Sequence, residues 1–162
     1  MLGRVDEILF KSPIGLLRLT ATDAGISRIQ FLDETKRENP NVSNSNPHLT
    51  ALATELDAYF KRQLKIFRVP IAPEGTEFQK RVWDRLSKIP FGSTKTYGQI
   101  ALELGQPTAS RAVGGANNRN PIPIVVPCHR VIGTNNNLVG FACGVWRKQW
   151  MLEHEGIALP LG

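Results

Sequence analysis

The sequence predicts an α+β fold in two parts: a small mixed α/β N-terminal domain over residues 1–72 and a mainly helical C-terminal domain over 76–162. Three observations carry that prediction. Short apolar runs separated by turn residues fill 8–32, the pattern of strands. Two Thr-x-x-Gln capping patterns, Thr76-Glu77-Phe78-Gln79 and Thr96-Tyr97-Gly98-Gln99, open helical stretches in the second half. Between the two parts lies Ala72-Pro73-Glu74-Gly75, whose composition is that of a linker.

In the N-terminal part, Ile8-Leu9-Phe10, Gly15–Thr22 and Ile26–Leu32 are expected strands. The turns Ser12-Pro13-Ile14-Gly15 and Asp23-Ala24-Gly25 join them. Asn39–Asn46 is a polar loop with nothing to bury. Leu49, Leu52, Ala53, Leu56, Tyr59 and Phe60 recur at helical spacing, which predicts a helix from about Pro47 to Gln63. Ile66–Ile71 is a further expected strand. None of these residues forms a catalytic pattern, so this part is expected to support the other.

After the linker, Phe78, Val82 and Leu86 form one helical stripe that ends before Pro90. A second helix from Thr96 buries Ile100, Ala101 and Leu104, with Gly105 as its C′ residue. A third is expected from Pro107 or Thr108 to about Asn117. The last two make a helix-turn-helix signature, whose second helix meets nucleic acid in such motifs. That second helix is nearly all small residues around Arg111. Small side chains let a helix approach another helix, or a DNA groove, closely.

Of the 162 residues, 20 are Lys or Arg and 14 are Asp or Glu, a net charge of +6. Residues 76–162 hold ten of the basic and five of the acidic ones, so most of the excess lies in the helical half. A basic half fits a polyanionic partner such as nucleic acid, as well as a merely soluble surface. No apolar run approaches the ~18 residues of a membrane span. Asp6 and Glu7 stand where a signal peptide needs its apolar core. Two cysteines, Cys128 and Cys143, make no disulfide framework. A reduced, cytoplasmic setting is expected.

The chemical signal is Pro127-Cys128-His129-Arg130-Val131, after the apolar run Ile122-Pro123-Ile124-Val125-Val126, which reads as a buried strand. A thiolate is a strong nucleophile, and basic neighbours raise its fraction. A buried cysteine is also often an inert small hydrophobe. In extended backbone, moreover, His129 would point away from Cys128 and reach the sulfur only through a turn or a water. Glu155 closes a helix expected over Gly144–Glu155, where the macrodipole disfavours a carboxylate. Orienting and stabilising His129 would justify that position.

The run 120–133 (NPIPIVVPCHRVIG) resembles the acceptor-cysteine signature of the methylated-DNA–protein-cysteine methyltransferases, the O6-alkylguanine-DNA alkyltransferases. Arg111-Ala112-Val113-Gly114-Gly115-Ala116, Thr96-Tyr97-Gly98-Gln99-Ile100-Ala101 and Glu153-His154-Glu155-Gly156 extend the resemblance over 76–157, in order. It implies a ribonuclease H-like N-terminal domain and a winged helix-turn-helix C-terminal domain, with no cofactor. It implies that a monomer meets double-stranded DNA containing O6-alkylguanine through the minor groove, near the nucleoid, and takes the alkyl group irreversibly onto Cys128. O4-alkylthymine is a further possible substrate. His129 is implied as a base acting through water, Glu155 as its polarising partner and Asn120 as the brace of the cysteine's turn. Tyr97, Val131, Phe141 and Ala142 are implied to hold the flipped base. Arg111 is implied to fill the gap in the stack, with Thr96, Ala109 and Ser110 as neighbouring DNA contacts.

Chemistry on an O6-alkylguanine requires the nucleotide to leave the duplex, at a cost of a few kcal/mol. An arginine can replace the lost stacking, and a phenol can give the departing base a proton. Two departures stand out: Cys143 replaces a glycine usual in that loop of the family, and Asn118 replaces one in its turn. No cysteine precedes Cys128, so the N-terminal zinc of some members is not expected, and no metal site is read elsewhere. The competing functions are a helix-turn-helix regulator without activity and a cysteine hydrolase built on Cys128, His129 and Glu155.

Overall fold

The computed structural model describes residues 4–33, 46–133 and 143–158. The chain divides into two compact units, Met1–Glu74 and Gly75–Gly162. Architecture and class are α+β, a mixed α/β unit followed by a helical one.

In the first unit, strands β1 (Asp6–Ser12), β2 (Gly15–Thr22) and β3 (Gly25–Phe31) form an antiparallel sheet in the order β1-β2-β3. Alternation decides its buried face: Leu17, Leu19 and Ala21 of the central strand are fully buried. Helix α1 (Pro47–Phe60) lays Leu49, Leu52, Leu56 and Tyr59 into the same core. Its N-cap is Asn46, whose side chain accepts from the His48 N–H at 2.9 Å. The helix ends before Gln63 because Arg62 adopts a left-handed φ of 62°.

The strand expected at Ile66–Ile71 does not form. The Glu55 carboxylate takes the Arg68 and Val69 N–H groups, and Pro70 has none to give. What remains is a single parallel bridge of Ile71 with Ile26. It depends on Gly25, since a Cβ there would stand 2.5 Å from the Pro70 carbonyl oxygen.

The second unit opens with α2 (Glu77–Leu86), which carries a complete capping box between Thr76 and Gln79. Its stripe differs from the expected one. Phe78 is half-buried, while Trp83 is almost wholly buried and donates from Nε1 to the Ala116 carbonyl at 2.9 Å. Strand β4 (Lys95–Thr96) leads into α3 (Tyr97–Glu103), whose Thr96–Gln99 capping box is also complete. A Schellman motif ends α3: Gly105 N–H donates to Leu102 O and Gln106 N–H to Ala101 O, both at 3.0 Å. Helix α4 spans Ser110–Asn118, starting later than expected, and buries Val113, Ala116 and Asn117.

Residues 122–126 are not a strand. They turn, with the Val126 N–H on the Ile122 carbonyl at 2.9 Å and Ile124 at a φ of 75°. A β-branched residue pays about 1–3 kcal/mol for that backbone, which local turn bonds must hold. A 3-10 helix (Cys128–Arg130) and β5 (Val131–Ile132) follow, and β5 pairs in parallel with β4. Helix α5 (Val145–His154) closes the unit with a second Schellman motif, in which Gly156 takes a φ of 87°. Among the described residues, no helix is long and apolar enough to cross a membrane.

Candidate active site

Cys128 sits in a turn built by its neighbours. Pro127 has φ −80° and ψ 67°, the geometry of an inverse γ-turn, and the Cys128 N–H closes it on the Val126 carbonyl at 2.8 Å. The same carbonyl accepts from Asn120 Nδ2 at 2.8 Å, while Asn120 Oδ1 accepts from the Ile122 N–H at 3.0 Å. Asn120 thus clamps both ends of the turn that presents the thiol. Cys128 is only 4% exposed. Burial pushes its thiol up to about 11, against the lowering effect of hydrogen bonding from Asn120, the Lys148 charge and nearby backbone N–H groups.

The 3-10 turn changes where the next two side chains go. Three residues per turn separate them by about 120°, rather than sending them to opposite faces. Both His129 and Arg130 reach Glu155. His129 Nε2 lies 2.6 Å from Glu155 Oε2, and Arg130 grips both carboxylate oxygens, Nε to Oε1 at 2.8 Å and Nη2 to Oε2 at 3.1 Å. Arg130 Nη1 also donates to the Ile89 carbonyl at 2.8 Å. Arg130 therefore anchors the carboxylate instead of raising the thiolate fraction. Glu155 occupies the C-cap of α5, where the Schellman turn holds its backbone.

The charges follow from this wiring. Burial alone would raise Glu155, but the hydrogen bond with His129, and then the hydrogen bonds and charge of Arg130, hold it well below the ordinary carboxylate range. Burial lowers His129, and the Arg130 and Lys148 charges add to that against the pull of Glu155. The imidazole is thus kept neutral near pH 7, the state in which it can accept a proton. Its Nδ1 is buried and has no hydrogen-bond partner among the described residues.

Tyr97 comes to the site through the β4–β5 ladder, which pairs Thr96 with Ile132 just past the cysteine's turn. Burial raises its phenol above 10.0, as does Cys128. Its ring lies against α4, where a Cβ at Gly114 would stand 3.9 Å from two ring carbons, in ordinary contact. Arg111 is exposed on α4, Ala109 and Ser110 are half-exposed at the start of that helix, and Thr96 caps α3. Val131 is buried in β5. Phe141 and Ala142 lie outside the described residues. Cys143, beside them, is pushed up to about 12 by burial and by Cys128. Among the described residues, no group of three His, Cys, Asp or Glu side chains is placed to hold a metal ion.

One residue escaped the sequence reading. Lys148 is fully buried in α5 and its Nζ donates to the Val131 carbonyl at 2.6 Å. The signal was in the helical period: Lys148 shares the stripe of Met151, Leu152 and Glu155, so a lysine was standing on a buried face.

A buried, clamped cysteine beside a His–Glu–Arg cluster, carried by a unit of packed helices, defines a thiol-bearing protein of the group-transfer kind. Two family models divide the chain between them. Residues 6–73 match "6-O-methylguanine DNA methyltransferase, ribonuclease-like domain", and 77–157 match "6-O-methylguanine DNA methyltransferase, DNA binding domain". A methylated-DNA–protein-cysteine methyltransferase of Methanosarcina acetivorans is 50% identical over 150 residues, covering 91% of this chain and 96% of that one. The solved O6-methylguanine methyltransferase of Mycobacterium tuberculosis is similar with a TM-score of 0.83 at 38% identity, covering 98% and 97% of the two chains. The Mycobacterium tuberculosis OGT solved in complex with DNA is similar at 0.81 and 41% identity, over 93% and 91%. The chain belongs to the methylated-DNA–protein-cysteine methyltransferase family, enzymes of DNA repair by alkyl transfer.

Proposed function

We propose that the protein flips O6-alkylguanine out of duplex DNA and moves the alkyl group irreversibly onto Cys128, so that each molecule acts once. The observation that carries this reading is the Asn120-clamped turn, which holds Cys128 next to a neutral imidazole bound to Glu155 at 2.6 Å. Nε2 of His129 is engaged by Glu155, which leaves Nδ1 to take the thiol proton through a water. The sulfur then attacks the alkyl carbon. The carbon–O6 bond breaks with its electron pair staying on the guanine, and the base leaves with a proton that the Tyr97 phenol can deliver.

Binding is assigned to the minor groove, with α4 as the inserted helix. Its exposed Arg111 stands among small residues that add no bulk, and Thr96, Ala109 and Ser110 flank it. Val131, Phe141 and Ala142 would line the base pocket. The unit before the linker supports the one after it, and the protein works as a monomer in the cytoplasm.

The direct test is intact and peptide mass spectrometry after incubation with an O6-methylguanine duplex. One methyl on the Cys128 peptide, without turnover, is the expected result. A DNA-bound but unmodified protein would point to a regulator, and repeated release of product to a hydrolase. Arg111→Ala is expected to slow duplex repair by about 10–100-fold, the loss of ~1–3 kcal/mol of help with extrusion. Transfer from the free base should be unchanged, and equal slowing of both reactions would remove the extrusion role.

A further inference from the structure

Residues 76–162 carry ten basic side chains against five acidic ones, and the site around Cys128 and α4 uses only part of them. Arg130 binds Glu155, Lys148 binds the Val131 carbonyl, and Arg111 stands exposed on α4. Three more, Lys80, Arg81 and Arg85, lie close together on α2. With Asp84, Glu103 and Leu104 they line a cavity of about 300 Å³.

Both carboxylates of that cavity are matched from outside it. Asp84 pairs with Lys88 at 3.3 Å and Glu103 with Lys95 at 2.7 Å, and neither lysine lines the cavity. Among the described residues, Lys80, Arg81 and Arg85 have no ion-pair partner. Five cations thus stand against two carboxylates, and the three unmatched ones border the same space. Arg81 is also held in place. Its Nη2 donates to the Leu104 carbonyl at 3.2 Å, at the C-cap of α3, which leaves the other N–H groups of the guanidinium for an anion.

We propose that this cavity is the seat of a backbone phosphate of the bound DNA, held by Lys80, Arg81 and Arg85 apart from the contacts of α4. The inference rests on α4 being the inserted helix, and it adds where a strand runs beside that helix. Position favours a DNA phosphate over a free anion. Leu104 ends α3, and the Gly105 turn leads from there into α4. In helix-turn-helix docking the second helix enters a groove while the helix before it crosses the backbone, so cations at the joining turn meet a strand. Duplex DNA presents a phosphate charge about every 1.7 Å along its axis. Such a seat reads charge and not sequence, which suits a protein that must search undamaged duplex.

The experiment is a fluorescence-anisotropy titration across salt, on an undamaged duplex and on one containing O6-methylguanine. It compares wild type, the α2 variant Arg81→Gln with Arg85→Gln, and a control, Lys11→Gln with Arg28→Gln. The control removes the same charge from exposed positions of the first unit. In the α2 variant the slope of log K against log salt should be shallower by about one, with the same fold loss of affinity on both duplexes. The control should keep the wild-type slope. An unchanged slope in the α2 variant, an equal flattening in the control, or weakening confined to the damaged duplex would overturn the proposal. So would saturable binding of inorganic phosphate without DNA that the α2 variant lacks, since the seat would then belong to a free anion. If loss of the Arg81–Leu104 bond unfolds the chain, Lys80→Gln with Arg85→Gln keeps that bond and is read by the same criteria. The slope needs no methyl transfer. A wild-type protein that binds duplex and takes no methyl overturns the Cys128 reading, while the slope still decides the role of α2.

Discussion

Cys128→Ser is expected to abolish alkyl transfer while leaving DNA binding and the fold intact. Serine fits the site, because the inverse γ-turn and the Asn120 clamp are made by backbone groups that the substitution does not touch. What is lost is the nucleophile. A hydroxyl gives far less anion than a thiol at any accessible pH, and its oxygen is a harder, weaker nucleophile toward an alkyl carbon. Cys143 is a poor substitute, since burial first and the charge of Cys128 second push its thiol up to about 12. The measurement is intact mass after prolonged incubation with an O6-methylguanine duplex, beside a binding titration. A methyl group on Cys143 would reassign the acceptor, and lost binding would show that the substitution had disturbed more than the sulfur.

Glu155→Ala carries the largest expected cost in stability, about 3–5 kcal/mol, the range found when one partner of a buried ion pair is removed. Its carboxylate accepts from His129, from two Arg130 nitrogens and, at a longer 3.4 Å, from the Gly92 N–H. Among the described residues, truncation leaves a buried guanidinium whose remaining hydrogen bond is to the Ile89 carbonyl. A loss of that size is a large part of the ~5–15 kcal/mol that holds a domain together. Glu155→Gln removes the charge and keeps one acceptor oxygen, so it should be milder in stability. It should still slow transfer by roughly 10²–10⁴-fold, the usual contribution of a positioned base.

The same cluster sets an acid limit. His129 is lowered from 6.5 by burial, so the unfolded chain takes up that proton first and stability falls as pH drops below about 6.5. Glu155 is lowered from 4.5, so its contribution is present above that value and is lost as pH falls through and below it. Denaturant titrations of the wild type should therefore show stability declining in two stages. In Glu155→Gln the second stage should shrink, while the first persists, because His129 has then lost the group that favoured its charge. A second stage of unchanged size in Glu155→Gln would show that other carboxylates set the acid limit.

Much of this could be read one residue at a time. The capping boxes at Thr76 and Thr96, the glycines that end α3 and α5, the β1-to-β3 meander and the Cys128–His129 pair are all local patterns. Each involves groups within a few positions of one another, where backbone geometry and side-chain spacing leave few alternatives. The errors were local patterns overruled by distant partners. Ile66–Ile71 has strand composition, yet Glu55 takes its amides. Ile122–Val126 is apolar enough for a strand, yet Asn120 and a left-handed Ile124 turn it into the support of Cys128.

Residue identity alone singles out the chemically capable groups: a thiol, an imidazole, a carboxylate and an arginine among small residues. Their connections come from packing between distant segments. His129 and Glu155 stand 26 positions apart, and the choice of Glu155 over every other carboxylate depends on the closing turn of α5. Arg130 turned from the sulfur to that carboxylate, and Lys148 went from a helix surface to a buried charge beside Val131. Burial explains the difference. The strength of a charge, the protonation of an imidazole and the reactivity of a thiol all depend on how much water is excluded, and that is decided by packing between segments far apart in the chain.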